Sequence, residues 1–187
     1  MSPTIAAPKN YSPRQRAGKH RVTRPRTLNI VDLENLVAGH VTKATVKTAW
    51  NEYCYVTGLR EGDQSFIAVA ERHAATAFFA LPPGIKRLVG DNVPDGADVV
   101  LLSAVDDPAW VARNYGQVMI ASGDHIFAPL AQRFLDVGVP VVQVLGGGAC
   151  ATNLYRRCST QLYLPQTREK ALVRRRKNVL RELRSTP

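Results

Sequence analysis

Short runs of Val, Ile, Leu and Ala recur between residues 27 and 165, and segments with apolar residues at helical spacing separate them. The runs have no polar alternation, which is typical of strands buried on both faces. They predict strands at 27–31, 65–70, 86–89, 118–122, 139–145 and 161–164, with a further apolar run at 99–105. The intervening pattern predicts helices at 42–57, 71–80, 108–114, 125–136 and 151–158. We therefore expect a three-layer α/β fold whose mostly parallel sheet is flanked by helices.

Charge divides the 187-residue chain into three parts. Residues 1–26 hold seven basic side chains and no acidic one, and residues 168–187 hold eight basic and two acidic ones. The part between them is slightly acidic, so the formal net charge of +10 belongs to the ends. We expect a basic, disordered N-terminal tail (1–26), one domain (27–165) and a basic C-terminal helix (166–187).

The composition also excludes several classes of protein. No apolar run is long enough to span a bilayer, and the charged N-terminus lacks the apolar region of a secretory signal. The three cysteines form no CxxC pair, which argues against a zinc ribbon or a disulfide scaffold. We expect a cytoplasmic protein whose basic ends bind a polyanion, although the N-terminal tail could serve only solubility.

Acidic residues follow three of the predicted strands. Asp32 and Glu34 come after the first strand, Asp95 and Asp98 after the third, and Asp124 after the fourth. In an open parallel sheet, ligands bind outside the carboxyl ends of the strands. Carboxylates gathered there repel one another unless a hard cation such as Mg²⁺ or Mn²⁺ neutralises them, and such a cation supports phosphodiester hydrolysis.

Each of these side chains also has an ordinary structural interpretation. Asp32 and Asp124 could accept hydrogen bonds from the backbone at a turn or helix start, and Asp98 could complement a helix dipole. Asp95 and Asp106 favour turns and caps. His125 could exchange protons near neutral pH, or it could be a surface residue in a first helical turn. From position alone, the metal site and the caps remain alternatives.

Four segments together resemble the NYN domain family of PIN-like nucleases. They are LNIVDLEN (28–35), GAD (96–98), VMIASGDHIFAPL (118–130) and GVPVV (138–142), so the resemblance extends over about residues 27–165. It implies a PIN-like sheet and a metal-dependent nuclease site that acts on RNA. Carried to this chain, it makes Asp32 and Asp124 the principal metal ligands and Asp98 the third acid. Asn35 would orient the first carboxylate or the scissile phosphate, with Asp95, Ser122 and His125 in support.

Two positions depart from the family pattern. Many members carry an acid two residues after the Ser-Gly-Asp aspartate, where this chain has Ile126, and another where it has Ala104. Fewer acids imply weaker metal binding, or a protein that binds RNA without cutting it. Asp95 or Asp106 would compensate if the fold brings either one into the site.

The C-terminal segment predicts an amphipathic helix over residues 167–185. Its apolar stripe is narrow, and the rest of its surface is basic. The basic residues expected to bind RNA are Arg174, Arg175, Arg176, Lys177 and Arg181. The helix could dock on the domain and extend a positive surface beside the acidic site, or it could form a homo-oligomer. The membrane alternative is disfavoured because the stripe has no Trp or Phe to anchor it. The sequence thus predicts a Mg²⁺- or Mn²⁺-dependent endoribonuclease, with DNA not excluded as substrate and a non-cutting RNA-binding module as the alternative.

Overall fold

Six parallel strands form one sheet in the part of the chain that the computed structural model describes, residues 25–185. The strands are β1 (Thr27–Asp32), β2 (Gln64–Ala70), β3 (Lys86–Gly90), β4 (Gln117–Ala121), β5 (Val141–Leu145) and β6 (Thr160–Tyr163). Their order across the sheet is β3-β2-β1-β4-β5-β6, and every neighbouring pair is parallel. The expected α/β sheet is therefore confirmed, and it is parallel throughout.

Helices cover both faces of the sheet. They are α1 (Leu33–Leu36), α2 (Lys43–Thr57), α3 (Glu71–Phe79), α4 (Gly96–Ala104), α5 (Pro108–Asn114), α6 (Ala128–Asp136), α7 (Thr152–Arg157) and α8 (Pro165–Ser185). One apolar core joins one face to α4, α5, α6 and α7, and a second joins the opposite face to α1, α2 and α3. The two cores give the three layers that double-faced burial of the strands predicts, consistent with a PIN-like fold.

Two predicted segments differ in detail from the structure. The apolar run at 99–105 lies in α4, because Leu101 packs into the core while Val99 is exposed, as on a helix. The helix expected at 125–136 starts as a single 3₁₀ turn (His125–Phe127) and becomes α-helical at Ala128. It ends before Gly138, whose φ of +79° suits a residue without a Cβ. Most of the predicted N-terminal tail, residues 1–24, lies outside the described residues.

Helix α8 is attached to the domain through its first half. The buried carboxylate of Glu52, on α2, accepts hydrogen bonds from the backbone N–H groups of Gln166 and Thr167 at 2.7 and 2.9 Å. Farther along, the Arg174 guanidinium donates to the carbonyl oxygen of Val37 at 2.8 Å, and that of Arg175 to Gly147 at 2.9 Å. The first three turns of α8 are thus held by polar contacts.

The apolar stripe of α8 is exposed to solvent. Its members are Leu172, Val173, Val179, Leu180 and Leu183, each at least 43% exposed. The docking of α8 on its own domain, one of the sequence alternatives, is confirmed for its first half, and it does not use this stripe. No described helix is long and apolar enough to cross a membrane. Self-association through the stripe stays a prediction.

Candidate metal centre

The site lies where the strand order of the sheet reverses. Strands β1 and β4 are neighbours at the centre of the sheet, and their connections run in opposite directions. A crevice opens at such a point outside the carboxyl ends of the two strands. Asp32 ends β1, and Ser122, Gly123 and Asp124 follow β4, so both predicted motifs meet at this crevice.

Asp32 is buried and accepts two hydrogen bonds. One carboxylate oxygen accepts from the backbone N–H of Asn35 at 3.0 Å, which caps α1. The other accepts from the Ser122 hydroxyl at 2.8 Å, and the same Ser122 oxygen accepts from the N–H of Asp124 at 3.0 Å. This chain of contacts fixes the end of β1 against the end of β4.

Asn35 connects α1 to the loop after β4. Its side-chain oxygen accepts from the N–H of Gly123 at 3.0 Å. The loop after β5 packs on the same side chain, since a Cβ added at Gly148 would lie 2.5 Å from that oxygen. Gly148 therefore allows close packing against Asn35, and Gly146 allows the same against Leu36.

Helix α4 brings two further carboxylates to the crevice. Asp95 precedes the helix in a left-handed conformation (φ +58°), and its side chain makes no capping bond. Asp98 lies in the first turn and is buried. Gly90 and Gly96 let β3 and the start of α4 approach closely, because a Cβ at Gly90 would lie 2.2 Å from the Gly96 carbonyl oxygen.

Three carboxylates converge at this point. One oxygen each from Asp95, Asp98 and Asp124 lies within 4.8 Å of the other two. Asp32 lines the same cleft and is not a member of this set. Its two oxygens accept from Asn35 and Ser122. The structure therefore brings together two of the three predicted ligands, Asp98 and Asp124, with the predicted supporting residue Asp95. A ligand role for Asp32 stays a prediction.

Two carboxylates of the cleft, Asp98 and Asp32, have raised pKa values. Burial, together with the charges of Asp32, Asp124, Asp95 and Glu34, raises the pKa of Asp98 to about 8. Burial also raises the pKa of Asp32 to about 6, although its two hydrogen bonds act in the opposite direction. Low dielectric and like charges both favour the neutral form of an acid. A cation bound in the cleft would favour the ionised carboxylates and so lower the pKa values of both Asp98 and Asp32.

Glu34 and Arg72 also line the cleft. The sequence placed Glu34 after β1 without giving it a role in the site, and it did not single out Arg72. Glu34 accepts from the N–H of Ala70 at 2.7 Å, and its second oxygen lies 3.4 Å from the Arg72 guanidinium. The sequence signal for Glu34 was its place two residues after Asp32. Arg72 gave no such signal, because only the sheet order places the start of α3 beside β1.

Other candidates lie at the edge of the site or outside it. Asp124 caps the 3₁₀ turn through the N–H of Ile126 at 3.0 Å, so its predicted capping role is confirmed while it also faces the cleft. His125 is exposed, and its Nδ1 lies 2.9 Å from the Asp124 carboxylate. Asp106 pairs with Arg133 away from the cleft, so it does not compensate for Ala104.

The donor set could hold a hard divalent cation. The cleft has a volume of about 500 Å³, and the described residues that line it include five carboxylates and one arginine, Arg72, which pairs with Glu34. Carboxylate oxygens are preferred ligands of Mg²⁺ and Mn²⁺. Oxygens on one octahedral ion lie about 3–4 Å apart, so the observed spacing is close to that of a shared ion.

Comparisons with known proteins bear on the fold alone. No protein-family model matches the chain, and no curated protein matches it. The chain is similar in structure to a protein of unknown function from Vibrio parahaemolyticus, with a TM-score of 0.55 and 15% sequence identity. The similarity covers 75% of this chain and 93% of the other. It supports the three-layer α/β architecture.

Proposed function

We propose that this chain is a metal-dependent endoribonuclease of the NYN type. The observation that carries the proposal is the convergence of the Asp95, Asp98 and Asp124 carboxylates outside the ends of β1 and β4. Mg²⁺ or Mn²⁺ bound there would supply the positive charge that a phosphodiester needs for attack by water. The raised pKa of Asp98 supports a cation in this role, because an acidic cleft without one is electrostatically unfavourable.

The residues around the cleft would position the ligands. Ser122 holds the Asp32 carboxylate and the backbone of Asp124 through one hydroxyl, so a shift of either is transmitted to the other. Asn35 holds Gly123, which precedes Asp124. Such supporting contacts commonly affect metal affinity by about 10- to 100-fold. We assign positioning roles to Ser122 and Asn35, and Asp32 joins them or binds the ion itself.

The alternative is an RNA-binding module that no longer cuts. It is favoured by the two positions where NYN relatives often carry acids. Ile126 and Ala104 are apolar and pack against the core, so neither contributes a ligand. The proposed catalytic set therefore depends on Asp95, an exposed residue on the approach to α4.

Cleavage of labelled single-stranded RNA with Mn²⁺ or Mg²⁺ tests the proposal. The wild-type protein is expected to cut the RNA. Asp124→Asn is expected to cut it at least about 100-fold more slowly, because one anionic ligand is removed. Asp136→Asn is the matched control, since it makes the same chemical change on the exposed end of α6. Cutting that survives Asp124→Asn would overturn the site assignment, and tight binding without cutting would favour the alternative.

A further inference from the structure

A basic groove adjoins the acidic cleft. It has a volume of about 680 Å³ and lies between His40 and one side of α8. Its ionisable lining consists of His40, Glu169, Lys170, Arg174, Lys177 and Arg181. Four cationic side chains against one carboxylate give this groove the opposite charge to the cleft.

The groove and the cleft share a short loop. Gly39 lines the cleft, and the next residue, His40, lines the groove. Ala38 and Gly39 both have positive φ, and the Arg174 guanidinium donates to the carbonyl oxygens of Val37 and Ala38 at 2.8 and 3.5 Å. The loop is therefore fixed to α8, and a strand of nucleic acid could pass over it from one surface to the other.

We propose that this groove binds the phosphates of single-stranded RNA on one side of the acidic cleft. The inference rests on the proposed function, and it names the surface by which that site holds its substrate. An acidic cleft repels a polyanion until a cation is bound, so an adjoining surface of opposite charge supplies the attraction. Lys177 and Arg181 are exposed in the groove and free to make this contact.

The basic residues of α8 differ in their contacts, and we therefore give them different roles. Arg174 and Arg175 donate to backbone carbonyl oxygens and hold α8 in place. Arg176 does not line the groove; it lies within the exposed apolar stripe. The sequence singled out neither His40 nor Lys170. Lys170 lies on the same side of α8 as Lys177 and Arg181, and His40 joins them only through the packing of α8 beside the 37–40 loop.

Binding of a 12-nucleotide RNA, measured by fluorescence anisotropy across a salt series, tests the groove. The background is full-length Asp124→Asn in EDTA, in which the proposed function predicts no cutting. The groove variant is Lys177→Ala/Arg181→Ala. The matched control, Arg113→Ala/Arg156→Ala, removes two exposed arginines from α5 and α7, on the opposite face of the sheet.

The groove variant is expected to bind about tenfold more weakly, with the slope of log K against log salt reduced by about 1.4 for two lost phosphate contacts. The control is expected to change affinity by less than about threefold. Equal losses in both variants, or none in the groove variant, would overturn the inference.

Two results separate this inference from the proposed function. RNA that binds through the groove and is not cut by wild-type protein with Mn²⁺ would refute the nuclease and leave the groove in place. RNA that is cut, with unchanged KM in Lys177→Ala/Arg181→Ala, would refute the groove and leave the nuclease.

Discussion

Two carboxylates of this protein each accept a capping hydrogen bond from the backbone and also line the acidic cleft. Asp32 caps α1 and Asp124 caps the 3₁₀ turn, and both also line the acidic crevice. A side chain that caps a helix at the end of a strand has its position fixed by the backbone. The capping and cleft-lining interpretations of these residues are therefore compatible, and the pattern alone could not separate them.

At the residue scale, the raised pKa of Asp98 predicts a pH-dependent stability. The folded pKa of about 8 exceeds the unfolded value near 3.8, so the protonated acid stabilises the fold. In the metal-free protein this contribution is complete below pH 4 and is lost as the pH rises through 8. Asp98→Asn should remove this part of the pH dependence, leaving the part that Asp32 contributes, and should raise the melting temperature at pH 8 by about 2–4 °C, on the order of 1 kcal/mol.

Thermal unfolding at pH 4 and pH 8, with EDTA and with Mn²⁺, checks this expectation. Mn²⁺ should raise the melting temperature of the wild type at pH 8 and leave that of Asp98→Asn unchanged. A metal-free Asp98→Asn protein that is less stable than wild type at pH 8 would show that the carboxylate is not under electrostatic strain.

At the scale of elements, the strands were easier to predict than the side-chain contacts that join one element to another. Apolar runs identified the six described strands. The four inner strands are buried on both faces, whereas the edge strands β3 and β6 are largely exposed and include Lys86, Arg87 and Gln161. The start of α8 depends on Glu52, 113 residues before Pro165, and no local pattern reveals a cap supplied from another helix. The same holds for Arg72, which only the neighbouring β1 and β2 bring beside Glu34.

Glu52→Ala should loosen α8 at its first turn. The substitution leaves the N–H groups of Gln166 and Thr167 without their acceptor, at a cost of about 1–3 kcal/mol in the free energy of unfolding. Urea unfolding measures the loss, and limited trypsin digestion should cut earlier within α8. Glu61→Ala, at an exposed turn, is the control and should change neither.

At the scale of the whole molecule, the acidic and basic parts of the sequence form two neighbouring surfaces of opposite charge. The acidic part of the chain places its carboxylates at the centre of the sheet edge, and the basic C-terminal segment continues from that edge along α8. The two charges adjoin at the 37–40 loop instead of lying at opposite ends of the molecule.

Two truncations should separate structural from binding contributions of α8. Removal of residues 177–187 takes away Lys177 and Arg181, and should weaken RNA binding and flatten its salt dependence without lowering the melting temperature. Removal of residues 168–187 also takes away the contacts of Arg174 and Arg175, and should lower the melting temperature as well. Unchanged RNA affinity in both truncated proteins would exclude α8 from binding.

The amino-acid sequence determined the layers, the strands and the segments that carry the acids, because these follow from local hydrophobic periodicity and from the residues after each strand. The tertiary structure decided which acids meet. The left-handed Asp95 and the close approach of Gly90 to Gly96 bring Asp95 and Asp98 to Asp124, whereas Asp106 is held by Arg133. Convergence of side chains from separate strands depends on sheet order and backbone contact, which spacing along the chain does not encode.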